Sequence, residues 1–159
     1  MAQFFLSQEV EPRLKAALLL AAVSVMLSGC ISSADISNSD LVGTQWKLKA
    51  IVSMDDTQER LIPTGDQTFT IDFQADGRAY LQIDCNRGSA TYSTSKTSPL
   101  GGRLEFGPVA TTRAMCPRPQ IGNFLISELL NVATYTIDGK RLSLAIKMDS
   151  GIFEFSASD

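Results

Sequence analysis

The stretch Phe69-Thr-Ile-Asp-Phe-Gln-Ala-Asp-Gly-Arg-Ala-Tyr-Leu-Gln-Ile83 decides the fold class. Apolar and polar residues alternate over 69–73 and again over 79–83, a period of two that is typical of β-strands with one face in water. The Asp76-Gly77 pair between the two runs is a strong signal for a tight hairpin turn. The stretch therefore predicts an antiparallel β-hairpin with one apolar face.

Shorter alternating runs lie on both sides of this hairpin and indicate further strands. Turn residues, including Asp138-Gly139, separate the last three runs, as in a three-strand meander. The runs lie at 46–50, 104–106, 135–137, 142–146 and 152–155. Between them, residues 93–102 are rich in Ser, Thr, Lys, Pro and Gly, which predicts a long polar loop.

One segment follows a different period. Between 119 and 132 the apolar residues recur at the i, i+3, i+4 spacing of a helix face, and Pro119 suits a first helical turn. We therefore predict a mainly β fold, a small antiparallel curved sheet or barrel of about seven or eight strands, with one α-helix packed on it. Trp46 is expected in its core.

Composition excludes several classes of function. The 159 residues suit one domain, and a net charge of −3 argues against a nucleic-acid partner. Because the chain has no histidine, it lacks the usual neutral-pH base and the common His-dependent catalytic and metal sites. The carboxylates of Asp72, Asp84 and Glu105 are read as solvated groups rather than as an acid–base pair. We predict no enzyme activity, catalytic residue, metal or cofactor.

The amino-terminal region has the pattern of a secretory signal peptide. Arg13 and Lys15 precede the apolar run 16–27, which reaches only about 18 Å as a helix and is too short for a bilayer core of about 30 Å. The run ends in Leu-Ser-Gly-Cys30, which resembles the lipobox of bacterial lipoproteins. That resemblance implies cleavage after a signal peptide at 1–29 and acylation of Cys30.

The same interpretation sets the domain boundaries and the location. Residues 30–40 are mostly small and polar and are predicted to be a lipidated flexible tether, followed by one domain at 41–159. No aspartate follows Cys30 directly, which resembles sorting to the outer rather than the inner membrane, with the domain facing the periplasm. Two glutamates near the start are unusual in a signal peptide, so we predict translation from Leu14.

Three elements together resemble the META/HslJ-like domain, in which a Gly-Cys-Asn element precedes a Thr-(Lys/Arg)-Met-x-Cys-like element, a helix and a terminal β-meander. They are Trp46, Asp84-Cys85-Asn86-Arg87 and Thr111-Thr-Arg-Ala-Met-Cys-Pro117. Their order matches over 41–155, although Asp84 stands where the family pattern has glycine. The resemblance implies an envelope protein linked to stress or antibiotic tolerance, and it transfers no catalytic residue.

Cys85 and Cys116 are the two cysteines that remain beside Cys30. In an oxidising compartment they favour a disulfide, worth about 3–4 kcal/mol on the chain-entropy model. Two buried thiols and a redox pair are the alternatives, although a redox pair usually has Cys-x-x-Cys spacing.

A bridge would bring Asp84, Asn86, Arg87 and Arg113 together as a candidate partner-binding patch, with Arg118 nearby. The alternative is structural: Asn86 holds a tight turn and Asp84 pairs with an arginine.

Three functions remain open. The first is a non-enzymatic cell-envelope lipoprotein, monomeric and bound to the bilayer through acylated Cys30, whose domain binds or supports an unknown envelope protein under stress. The alternative is a periplasmic inhibitor of a hydrolase or protease that docks through a disulfide-pinned loop. The third is a carrier of a small apolar ligand, which the many phenylalanines would leave little room for.

Overall fold

The computed structural model describes residues 40–54 and 60–158. The predicted signal peptide at 1–29 and all but the last residue of the predicted tether lie outside the described residues. Ten strands and one α-helix are present in the described part. The strands are β1 (Gln45–Ser53), β2 (Arg60–Leu61), β3 (Phe69–Phe73), β4 (Arg78–Ile83), β5 (Asn86–Ser98), β6 (Gly101–Phe106), β7 (Ala110–Thr111), β8 (Val132–Asp138), β9 (Arg141–Ile146) and β10 (Gly151–Ala157). The helix is α1 (Gln120–Glu128), and short 3₁₀ turns follow at Leu129–Asn131 and Lys147–Asp149.

Eight of the strands close into an antiparallel barrel. The order around it is β1-β3-β4-β5-β6-β8-β9-β10, and β10 pairs with β1 to complete the ring. The two-residue strands β2 and β7 add to β1 and β5 from outside this ring. The mainly β class predicted from the sequence is confirmed, in its closed form.

The hairpin predicted from the alternating stretch is confirmed as β3 and β4. Phe69 pairs with Ile83 and Phe73 with Ala79, so the buried apolar residues of both strands share one face, and Tyr80 lies on the other. Gly77 takes the turn with a φ of 81°, a conformation that glycine adopts without strain.

The inward faces of the strands fill the barrel with apolar side chains. The Phe73 ring centroid lies 4.9 Å from that of Tyr92 and 5.9 Å from that of Phe106. Trp46 is only 2% exposed, and its indole N–H donates to the carbonyl of Leu41 at 3.1 Å. Burial, and secondarily the charge of Asp76, raises the pKa of the Tyr92 hydroxyl. A barrel of eight strands is narrow enough for its own side chains to fill the interior.

Helix α1 covers one end of the barrel, as predicted. Ile121, Leu125 and Leu129 are buried, and the Phe124 ring meets that of Phe153 edge-on at 6.3 Å. The α-helix ends at Glu128, and the rest of the predicted segment is the 3₁₀ turn and the start of β8.

The prediction of a polar loop at 93–102 is wrong. Strand β5 continues to Ser98 and turns directly into β6. A Cβ at Gly102 would lie 2.1 Å from the Ser95 carbonyl oxygen, and one at Gly101 equally close to that of Tyr135. Glycine thus permits an unusually close approach of β6 to β5 and β8. The segment is polar on both faces, so no alternation marks it as a strand.

Candidate functional site

A disulfide joins Cys85, just after β4, to Cys116, just before α1. The sulfur atoms are 2.00 Å apart and the Cα atoms 5.7 Å apart. Cys85 is exposed and Cys116 half-buried. The structure therefore shows the disulfide and not the alternative of two buried thiols. We call residues 112–118, which the bond ties to the β4–β5 turn, the pinned loop.

Asn86 holds the pinned loop through both ends of its side-chain amide. Its Oδ1 accepts from the backbone N–H of Ala114 at 2.7 Å and from the Thr112 hydroxyl at 2.9 Å. Its Nδ2 donates to the Ala114 carbonyl at 3.0 Å and lies 3.1 Å from the Cys116 sulfur. The amide therefore pairs with Ala114 as a neighbouring strand would. Asn86 orders a segment remote in sequence rather than its own turn.

The start of the pinned loop extends the strand pairing of β5. The N–H of Thr112 donates to the Arg87 carbonyl at 2.9 Å, and the N–H of Arg87 donates to the Thr112 hydroxyl at 3.0 Å. Directly before it, β7 pairs with β5 at Gly88 and Ser89. A Cβ at Gly88 would lie 3.0 Å from the Ala110 carbonyl oxygen, so a larger residue would push β7 away.

Asp84 occupies the position at which the family pattern has glycine. Its φ is +53°, in the left-handed region, where glycine is free of strain and aspartate is tolerated. Its N–H donates to the Thr68 carbonyl at 2.7 Å, which fixes this backbone geometry. This geometry favours glycine, and the turn still forms with aspartate at this position.

The predicted patch is divided between two faces. Asn86 and Arg87 are adjacent on a strand, so their side chains point in opposite directions. Asp84, Asn86 and Arg118 line a pocket of about 50 Å³ beside the disulfide and α1, too small for more than one or two waters. Arg118 pairs with Asp66 at 2.5 Å. No arginine of the described residues forms an ion pair with Asp84, so the alternative in which Asp84 pairs with an arginine is not found among them.

On the other face, Arg87 lies in a shallow groove with Tyr80 and Thr112. Tyr80 is 48% exposed. Within residues 40–54 and 60–158, no carboxylate forms an ion pair with Arg87 or Arg113, both of which are exposed. The groove is continuous with the pinned loop because Thr112 belongs to both.

The pinned loop keeps its side chains in water although its backbone is fixed. Met115 is 99% exposed, and Arg113 is also exposed. The sequence analysis did not single out Met115 or Tyr80. The signal for Met115 was its position between Arg113 and a bridged cysteine, where a long apolar side chain has no helix or strand face to fill.

Among the described residues, no group of three or more His, Cys, Asp or Glu residues is placed to hold a metal ion. Asp72 lies on β3 and accepts from Gln74 at 2.8 Å, while Glu105 lies exposed on β6. A cavity of about 470 Å³ lies outside the barrel over β8, β9 and β10, where Arg141 pairs with Asp138 at 2.8 Å. Within residues 40–54 and 60–158, no helix is long and apolar enough to cross a membrane.

The fold and the site together define a closed β-barrel domain with an apolar interior and a disulfide-bonded polar loop on its surface. The family comparison agrees, since the model of the META domain matches residues 39–157. The chain belongs to the META domain family.

Two solved structures share the fold. An NMR structure of a protein from Burkholderia xenovorans is 22% identical, with a TM-score of 0.61, covering 77% of this chain and 86% of that one. A crystal structure of a DUF4847 family protein from Bacteroides vulgatus is 16% identical, with a TM-score of 0.51, covering 73% of this chain and 93% of that one. No curated protein sequence matches the chain.

Proposed function

We propose that this META-domain protein is a non-enzymatic binding module of the cell envelope, anchored as a lipoprotein through Cys30 and related to stress or antibiotic tolerance. The observation that carries the binding role is the pinned loop. A disulfide and the Asn86 amide fix its backbone, while Arg113 and Met115 remain in solvent. A loop ordered in advance loses less conformational entropy when it binds, which favours affinity.

The residue types at this surface support a protein partner. Tyr, Arg and Met are enriched at protein interfaces, and Tyr80, Arg87, Arg113 and Met115 supply all three. Two of the three exposed methionines among the described residues offer a matched test, because Met115 is 99% exposed and Met148 is 94% exposed. In crosslinking within the native envelope, Met115→Ala should reduce the crosslinked partner and Met148→Ala should not. Equal crosslinking by both variants would contradict the binding role of the loop.

The lipoprotein part of the proposal rests on the Leu-Ser-Gly-Cys30 sequence after a short apolar run. Cys30→Ala should leave an uncleaved precursor that takes up no labelled palmitate, whereas Ser33→Ala should be processed and labelled as the wild type. Palmitate labelling of the Cys30→Ala protein would contradict anchoring at this residue. This result decides the anchor separately from the binding role.

A periplasmic inhibitor of a hydrolase or protease is a second candidate. The disulfide-bonded, exposed loop favours it, since inhibitors commonly present a preformed surface to an enzyme cleft. The purified domain would be assayed against a peptidoglycan muramidase and a trypsin-like protease. Inhibition that disappears in Met115→Ala and persists in Met148→Ala would identify the inhibitor, and full enzyme activity in every case would remove these two enzyme classes.

A further inference from the structure

The place where the chain enters the barrel and the pinned loop lie at opposite ends of strand β5. The strand begins at Asn86, next to the disulfide, and runs to Ser98. Near its far end, the Lys96 ammonium pairs with the carboxylate of Asp40, the first described residue. Ten residue steps separate Asn86 from Lys96, a path of about 33 Å along an extended strand.

Further contacts place the beginning and the end of the domain at one end of the barrel and helix α1 at the other. Leu41 accepts the hydrogen bond from Trp46, and Trp46 pairs with Ala157 near the end of the last strand. Both the entry and the exit of the domain therefore lie at one end of the barrel, which we call the entry end. At the opposite end, α1 packs where Gly122 approaches Ile83 and where Phe124 meets Phe153. We call this the loop end.

The loop end carries two exposed arginines, Arg87 and Arg113, and the half-buried carboxylate of Asp84, on a chain whose net charge is −3. Among the described residues, Arg87 and Arg113 form no ion pair, whereas the nearby Arg118 is neutralised by Asp66. Tyr80 and Met115 add exposed apolar surface beside these arginines. We define Tyr80, Arg87, Arg113 and Met115 as the distal surface. Its groove is shallow rather than enclosed, which suits a protein better than a small molecule.

We propose that the distal surface docks an acidic protein surface on the side of the domain that faces away from the anchoring membrane. The charge follows from complementarity, because two unpaired guanidinium groups recognise carboxylates. The direction follows from the place of attachment, since the tether joins the domain at the entry end and leaves the loop end as the part most remote from that attachment. This inference rests on the proposed anchor at Cys30. The same charges would also suit anionic lipid headgroups, which the experiment distinguishes from a protein.

The experiment uses the full lipidated chain in its native envelope, with a photoreactive amino acid in place of Met115. The matched position is Thr97, which is exposed at the entry end. Irradiation should give a protein adduct at position 115 that is absent at position 97. Adding Arg87→Glu and Arg113→Glu should reduce the adduct about tenfold or more, as expected when close charge pairs across an interface are lost. Arg103→Glu, a charge reversal at an exposed arginine that pairs with Ser95 near the entry end, should leave it unchanged.

Every other result overturns the inference. Phospholipid adducts at position 115 would show that the loop end faces the membrane. A protein adduct that survives both arginine reversals would exclude an acidic contact, and equal adducts at 97 and 115, or none at 115, would exclude a distal docking surface. Failure of the proposed anchor is seen separately, because the unmodified chain would then be found unacylated in the soluble fraction.

Discussion

The barrel interior and the pinned loop are ordered by different interactions. In the interior the order comes from buried apolar side chains, as where the Phe73 ring packs against Tyr92 and Phe106. The pinned loop is instead ordered by a disulfide and by the Asn86 amide. Packing in the interior buries the side chains that it orders. The disulfide and the hydrogen bonds from Asn86 instead fix the backbone of the loop and leave the Met115 side chain in solvent. The pinned loop can therefore be both rigid and available for binding.

The largest expected effect is at the buried aromatic cluster. Phe73→Ala should lower the free energy of unfolding by about 3–5 kcal/mol, because it removes buried apolar surface and leaves a cavity. Urea denaturation followed by circular dichroism measures it. Tyr80→Ala, on the outer face, should change the free energy by less than about 0.5 kcal/mol. A loss below about 1 kcal/mol for Phe73→Ala would contradict the packed interior.

Loss of the disulfide should have the next largest effect. Replacing both Cys85 and Cys116 by alanine should lower the free energy of unfolding by about 2–4 kcal/mol, since the unfolded chain is no longer constrained. Reductant should have a similar effect on the wild type and none on the double variant. The domain purified without Cys30 should contain no thiol that can be alkylated after denaturation. Two reactive thiols in that sample would contradict the disulfide.

Asn86→Ala tests the polar half of the loop attachment. It should lower the free energy of unfolding by about 1–2 kcal/mol, because the backbone groups of Ala114 lose their partner. Hydrogen exchange should speed up at Ala114 and stay unchanged at Leu81 in the barrel. In Asn86→Asp the acceptor is retained, but a carboxylate oxygen then faces the Ala114 carbonyl, so Ala114 should keep only part of its protection. If the Ala114 amide exchanges equally slowly in wild type and Asn86→Ala, the disulfide alone orders the loop.

The smallest effect is expected at Asp84, and it is an increase. Asp84→Gly should raise the free energy of unfolding by about 0.5 kcal/mol, because glycine adopts the positive φ of this position without strain. Asp84→Ala should lower it, as alanine is less tolerant of this conformation than aspartate. Thermal unfolding of the three proteins gives the order Gly, Asp, Ala. A glycine variant less stable than the wild type would point to a stabilising role of the carboxylate.

Local sequence patterns predicted more of the barrel than of the site. The hairpin around Asp76-Gly77 could be predicted because apolar and polar residues alternate along both of its strands. The hairpin at 93–102 could not, since its residues are polar on both faces and its close strand contacts depend on Gly101 and Gly102. The role of Asn86 was missed for a related reason. It bonds to Ala114, and no sequence pattern states which remote backbone an amide will meet.

The central claim is that the pinned loop is as ordered as the barrel while its side chains stay in water. Backbone ¹⁵N relaxation of the oxidised domain tests it most directly, at the amides of residues 112–116. We predict order parameters of about 0.85, equal to those of the barrel strands. Order parameters below about 0.6 for these amides would contradict the claim, because they would show a flexible segment rather than a preformed binding surface.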